Sequence, residues 1–268
     1  MMNKRFPTLL GLVFLVVGVV GGVLLVQRSN NLGTQASSEF TPQNIQLSNI
    51  AHNSFTVSWS TQKPTTGFVK WGDNKDELRN ISVIDETKKH THYIQIDNLL
   101  PSTTYYFHVY SDSRRHSQNN DLFIVKTGTK VSQKPTTEIA SGKIVTKTGL
   151  EVDRAIVYAE ISGGSTLSDI SADNGGWLIP LSNMRSKDLS NYLKIDKEDY
   201  IEIFVDAGPL GTAKARIKAL ESDPVPPIIL GRQLDFTDTA VEFNDEIPDA
   251  SLNIEDNEVK SIFDFPFN

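Results

Sequence analysis

Few residues in this chain are equipped for chemistry. It holds five histidines (His52, His90, His92, His108 and His116) and no cysteine. That excludes a thiol nucleophile, a disulfide scaffold and every thiolate metal site. His90 and His92 stand two apart, and on a strand that spacing puts both imidazoles on one face, able to grip a metal ion. No third ligand is indicated, and Lys88-Lys89 repel a cation, so two exposed histidines at a strand edge are the expected arrangement. Asp169, Ser171 and Asp173 have the spacing that opens a calcium loop. The sixth position is Asn174, where such a loop needs Gly, and the twelfth is Pro180, where it needs Glu. A turn is the better reading. Glu160 with Asp169 and Asp173 offers carboxylates for a glycosidase, but nothing in the sequence supplies a cleft or raises a pKa. G-x-S-x-G, P-loop and H-E-x-x-H motifs are absent. One candidate binding loop remains, Arg114-Arg115-His116 within the polar stretch Ser111 to Asn120. Its guanidinium groups could hold a carboxylate or phosphate bidentately, with a solvated loop as the plainer reading. No catalytic residue, cofactor or metal site is expected.

The 268 residues suit one or two domains. Lys and Arg number 26 against 33 Asp and Glu, a net charge of −7. The imbalance lies at the C-terminus. From Asp235 onward ten acids face one base, Lys260, while the other 234 residues carry 25 bases and 23 acids. Without clustered Lys and Arg, nucleic acid is not an expected partner. Near the N-terminus, Leu9 to Val26 is an unbroken run of apolar residues and Gly. At about 1.5 Å per residue it spans roughly 27 Å, close to the hydrocarbon thickness of a bilayer. Lys4 and Arg5 precede it and only Arg28 follows closely, so the N-terminus is expected in the cytoplasm and the bulk of the chain outside. A cleaved signal peptide is the alternative, but its apolar region usually spans about 7–15 residues. The best small-x-small triplet, Thr34-Gln35-Ala36, also lies well past the run. The expected segments are a cytoplasmic N-terminus at 1–8, a transmembrane helix at 9–27 and a polar stalk at 28–41.

From Pro42 short alternating segments take over. Phe55, Val57 and Trp59 share one face at period two, as do Tyr105, Phe107 and Val109. Phe68 to Trp71 is followed by the turn signal Gly72-Asp73-Asn74, and Tyr93 to Ile96 and Leu122 to Val125 add further strands. This pattern indicates a β-sandwich over residues 42–129. The string Leu99-x-Pro101-x-Thr103-x-Tyr105-x-Phe107-x-Val109, with Trp59 upstream, resembles a fibronectin type III domain. The resemblance implies that Trp59 fills the space between sheets and that the Tyr105 hydroxyl bonds backbone upstream. The element Val69-Lys70-Trp71-Gly72-Asp73 also resembles the fibronectin-like domain that precedes the catalytic domain in purple acid phosphatases. The G-D-x-x-Y and G-N-H-E motifs of such phosphatases are absent, so this resemblance implies the sandwich alone.

A polar linker at 130–138 leads to a second run of strands at 139–232. These are Ile139 to Val145, Val152 to Ile161, Ser168 to Leu181, Tyr200 to Val205, Gly211 to Leu220 and an edge strand at Ile228 to Leu230. Asn174-Gly175 between alternating residues predicts a hairpin. Gly142, Ala155, Val157, Asn174, Gly176, Trp177 and Leu181 resemble the carboxypeptidase regulatory-like family, which implies a transthyretin-like sandwich acting as a stability or spacer module. Asn183 to Asp199 is a long polar insertion, with one helical turn expected around Leu189 to Leu193. The tail at 233–268 reads as disordered. Phe263, Phe265 and Phe267 alternate near its end, as a terminal remnant or as a strand for a partner's sheet edge.

The expected fold is all-β: two tandem β-sandwiches after one transmembrane helix, with a disordered acidic tail. The expected role is a cell-surface, non-catalytic spacer or protein- or glycan-interaction module. An accessory domain of a membrane-bound hydrolase or secretion complex is the alternative. An exposed aromatic platform at Trp71 or Trp177 would favour a glycan, and an exposed apolar patch a protein partner. Absence of cysteine from exported domains suits a bacterial envelope protein.

Overall fold

Alternation at Phe55, Val57 and Trp59 makes one strand the spine of the first sandwich. The computed structural model describes residues 39–116, 122–132 and 137–237. The expected membrane segment, most of the stalk and the tail beyond Thr237, including Phe263, Phe265 and Phe267, lie outside the described residues. Among the described residues no helix is long and apolar enough to cross a membrane. Residues 1–41 and 42–268 form separate units. Only a turn at Glu39-Phe40 and a bend at Thr41 are described in the first, and every described strand belongs to the second.

The first sandwich contains β1 (Gln43–Ser48), β2 (Phe55–Gly72), β3 (Asn80–Ile81), β4 (Asp85–Ile96), β5 (Thr104–Ser111), β6 (Arg114–His116) and β7 (Phe123–Lys126). The two expected strands around Trp59 and Trp71 are one strand of 18 residues. Its first half pairs with β1 and β4, and its second half pairs with β3 and β5. The register slips between Ser60 and Gly67, where Gln62, Lys63 and Pro64 are exposed. Proline is tolerated there because a bend needs no ladder donor. The strand therefore turns from one layer into the other. Phe55, Val57, Trp59, Val69, Tyr105, Phe107 and Val109 line the core between them. Tyr105 is 5% exposed, and its hydroxyl accepts from the Leu100 amide at 2.9 Å, fixing the corner before β5.

The second sandwich contains β8 (Ile139–Val145), β9 (Ile156–Ile161), β10 (Leu167–Ile170), β11 (Gly176–Pro180), β12 (Tyr200–Asp206), β13 (Thr212–Lys218), β14 (Ile228–Ile229) and β15 (Gln233–Asp235). One sheet runs β10-β9-β12-β13-β15 and the other β11-β8-β14. Three sequence expectations are corrected. Asn174-Gly175 does not close a hairpin between neighbours: β10 pairs with β9 and β11 with β8, so the turn carries the chain from one sheet to the other. Gly175 sits at φ 70°, and a Cβ there would lie 2.5 Å from the Ile144 carbonyl oxygen. Leu189 to Leu193 is no helical turn. A bridge between Arg185 and Tyr192 closes that segment, and the Asp188 carboxylate accepts from the Ser190 amide and from the hydroxyls of Ser186 and Ser190. Those bonds hold Asp188 down at about 2. Finally, the second module does not stop at 232. Leu234 gives the start of the apparent tail enough apolar surface to add β15 in parallel to β13.

Candidate functional site: the junction between the sandwiches

The sequence-derived candidates do not converge. His92 is not an exposed edge histidine. It is 1% exposed, stacks on Trp59 with ring centroids 4.8 Å apart, and its Nε2 meets the Thr65 hydroxyl at 2.9 Å. A Cβ at Gly67 would strike both rings, so that glycine makes room for the stack. His90 is half-buried and its Nδ1 donates to the Thr61 carbonyl at 3.2 Å. Asp169 accepts from the Leu178 amide at 2.8 Å, Ser171 is buried against Ala155 and Val152, and Asp173 is exposed. Among the described residues no three His, Asp or Glu side chains gather as a metal site would require. Neither tryptophan offers a platform. Trp177 is 4% exposed, and Trp71 is half-buried and edge-on to Tyr105 at 5.6 Å.

Arg114 and Arg115 are exposed, but the loop before them is a two-residue hairpin turn, with Asp112 at φ 44° and Ser113 at φ 65°. Asp112 is braced by the Thr66 amide at 3.0 Å and by Lys88 at 3.1 Å. His116 is half-buried, and burial, aided by the charge of Arg114, pulls its pKa down. Residues 117–121 lie outside the described residues.

A charged row crosses the second sandwich that sequence reasoning missed. Glu160, Glu202, Arg216 and Asp235 stand directly opposite one another on β9, β12, β13 and β15. Arg216 reaches Glu202 at 3.2 Å. Burial nevertheless raises Glu202 to about 7, with Asp235 and Glu160 adding repulsion that Arg216 does not cancel.

Where the two sandwiches meet, strand alternation breaks down. Thr56, Ser58 and Ser60 point away from the first core, yet they are 1%, 0% and 3% exposed. The outer face of the five-stranded sheet covers them. On that face Ile156, Tyr158 and Phe204 pack as an apolar cluster with Tyr93 of β4. Polar groups are paired around this cluster. Ser58 Oγ lies 2.8 Å from the Tyr158 hydroxyl. Buried Asp206 accepts from Ser60 at 2.8 Å and Asn44 at 3.0 Å. Asn49, in the left-handed region at φ 52°, clamps Ser168 with its whole amide. Its Oδ1 accepts from Ser168 N at 2.9 Å and its Nδ2 donates to Ser168 O at 3.0 Å. Thr91 and Arg154 exchange bonds to each other's carbonyls at 2.8 and 3.2 Å. Burial pushes the Tyr158 and Tyr93 phenols up, so both stay protonated.

Beside this network a cleft of about 380 Å³ lies between the sandwiches. Asn53 and Gln95 line it from the first, and Asp169, Asn183, Arg185 and Tyr192 from the second. Arg185 is 2% exposed. Its Nη2 donates to the Thr129 carbonyl, and its guanidinium lies 4.4 Å from the centre of the Tyr192 ring. Its Nη1 has no acceptor among the described residues.

Residues 42–127 match the family model for the N-terminal domain of purple acid phosphatase, which is under half of the chain. No curated protein is similar to the chain. Among solved structures, the sensor domain of the anti-sigma factor RsgI4 in Pseudobacteroides cellulosolvens is 20% identical, with a TM-score of 0.29. That likeness covers 36% of this chain and 98% of the other. PhoD is 9% identical at a TM-score of 0.27, covering 38% of this chain and 21% of its own. The central fibronectin-III array of RIM-binding protein is 19% identical at 0.25, covering 62% and 57%. Likenesses this partial bear on no role. The first module is a β-sandwich, and it is this module that matches the family model.

Proposed function

We propose that this chain is a non-catalytic interaction or spacer module, in which two β-sandwiches act as one rigid body carried outside the cell on an N-terminal membrane anchor. The observation that supports it is the junction. Serines and threonines that alternation assigns to solvent are buried against a second domain, and their hydroxyls are paired across it. Sliding one sandwich on the other would strand several of these buried hydroxyls at once, each at the cost of an unsatisfied polar group. A rigid pair suits a spacer that must hold its far end at a fixed distance and angle. The carboxypeptidase regulatory-like reading of the second sandwich rests on its sequence, at Gly142, Ala155, Val157, Asn174, Gly176, Trp177 and Leu181, and implies a spacer or stability module. The anchor rests on the apolar run Leu9 to Val26.

The test is to cut the linker between residues 130 and 138 through an inserted protease site. The halves are expected to co-elute from a sizing column after the cut. Separation of the halves would refute the rigid pair. Fractionation is expected to leave the full chain in the membrane, with external protease removing everything after Arg28. A soluble product starting near Ser37 would refute the anchor. A second reading, an accessory domain of a membrane-bound hydrolase, is favoured by the match of residues 42–127 to the purple acid phosphatase N-terminal domain. Phosphate-ester turnover by the purified chain, lost on Asp169→Asn or His90→Ala, would overturn the non-catalytic reading.

A further inference from the structure

We propose that the cleft between the sandwiches binds the carboxylate of a sugar acid, with Arg185 as its anchor. A guanidinium is charged at every relevant pH. Burying it is costly unless the charge is paired and its donors are satisfied. At 2% exposure Arg185 has one carbonyl, that of Thr129, and the face of one ring, that of Tyr192. Neither carries a negative charge. Its Nη1 has no acceptor, and no carboxylate forms an ion pair with it among the described residues. The missing component is an anion at a residue that lines a cleft.

The lining narrows the kind of anion. Asp169 stands in the same cleft, so a dianionic phosphate meets more repulsion there than a singly charged carboxylate. The remaining polar groups, among them the Asn53 and Gln95 amides, the Ser54 hydroxyl and the His52 ring, offer donors and acceptors suited to hydroxyls. The volume of about 380 Å³ lies at the small end of ligand pockets, the size of one sugar ring with its substituents. A peptide carboxylate would need unpaired backbone beside it to hold the chain, but the Ser168 amide and carbonyl on this rim are already taken by Asn49. The Tyr192 ring covers one face of the guanidinium, while Nη1 at its edge has no acceptor among the described residues.

The full chain in detergent is titrated with methyl glucuronide. Shifts are followed by NMR at the Tyr192 ring and at the side-chain amides of Gln95 and Asn183. Saturable shifts at those three residues are expected, with a dissociation constant of about 1 mM or tighter. Methyl glucoside, which has the same ring without the carboxylate, is expected to bind at least about tenfold more weakly. Arg185→Gln should abolish the shifts, and Arg185→Lys, which keeps the charge and loses the fork, should weaken them. If Arg185→Gln does not fold, exposed Asn53→Ala serves instead, lowering affinity without changing the melting temperature. Absence of saturable shifts, equal binding of the glucoside, or tighter binding of N-acetylglutamate or inorganic phosphate would each overturn the proposal. The inference rests on a fixed junction, but the two readings fail separately. Co-elution of the cut halves does not depend on any ligand.

Discussion

Tyr158→Phe removes a single oxygen atom from the centre of the junction. The Tyr158 hydroxyl is fully buried and lies 2.8 Å from Ser58 Oγ, on the other sandwich and 100 residues away in sequence. A hydrogen bond of this kind contributes about 0.5–1.5 kcal/mol net, while leaving its buried partner unsatisfied costs about 1–3 kcal/mol. Tyr158→Phe strands the Ser58 hydroxyl, and Ser58→Ala strands the phenol, so each should destabilise the chain by about 1–3 kcal/mol. The double variant strands neither. Its loss should be no greater than the larger single loss, giving a coupling of about 1 kcal/mol or more. Urea unfolding of the full chain measures all four corners of the cycle. Because the sandwiches share this interface, their unfolding should be a single transition. For a folded region of about 200 residues, each 1 kcal/mol should move Tm by about 2–4 °C. Additivity within about 0.3–0.5 kcal/mol, the error expected of uncoupled sites, would show that the two hydroxyls do not meet and that the junction is not as described.

Trp59→Ala empties the first core and breaks the stack on His92, so it should cost about 3–5 kcal/mol in urea unfolding. A loss as small as that of an exposed substitution would place Trp59 outside the core. Ser113→Gly should stabilise by about 0.5–1 kcal/mol, because Ser113 holds φ 65° in the left-handed region where glycine pays no steric penalty; a loss in thermal melting would refute that turn. Glu202 is raised to about 7 from an ordinary value of 4.5, chiefly by burial, so its ionisation opposes the fold. Stability present below pH 4.5 is lost as pH rises through 7. Glu202→Gln should therefore be more stable than the parent above pH 7, with the gain shrinking as pH falls towards 4.5; a gain that grew on acidification would reverse the assignment.

Local pattern carried the first sandwich. Phe55, Val57 and Trp59 alternate within five residues, and the corner bond from Leu100 to Tyr105 also spans five, so sequence sufficed for both. It failed where the deciding contact is remote. Asn174-Gly175 has the residues of a tight turn, and a turn it is, but turn chemistry does not say which sheets the flanking strands join. Asn183 to Asp199 reads as a polar insertion because its charges are visible and its environment is not. Arg185 is buried there by the bridge to Tyr192 and the carbonyl of Thr129, neither of which leaves a periodic mark.

The junction escaped for a related reason that also bears on what it does. Ser58 and Ser60 are the residues a solvated strand face would carry, so burial by a second domain leaves no apolar signature in the first. Sealing the same area with leucine or isoleucine would give the first sandwich a sticky face if the two ever parted, as Ile156 and Phe204 already give the second. Hydroxyls avoid that hazard, but only while each has a partner, because a buried polar group without one costs more than an apolar side chain in its place. The hydroxyls of Ser58 and Ser60 have such partners in Tyr158 and Asp206, at 2.8 Å each, and Ser48 meets Ser168 at 2.6 Å. Such a network tolerates little sliding, since moving one sandwich by an ångström or two breaks several bonds at once. Arg185 follows the same logic with the opposite outcome: it lines the neighbouring cleft with an Nη1 that has no acceptor among the described residues, which is why that cleft, and not the exposed Arg114-Arg115, is the place to look for a ligand.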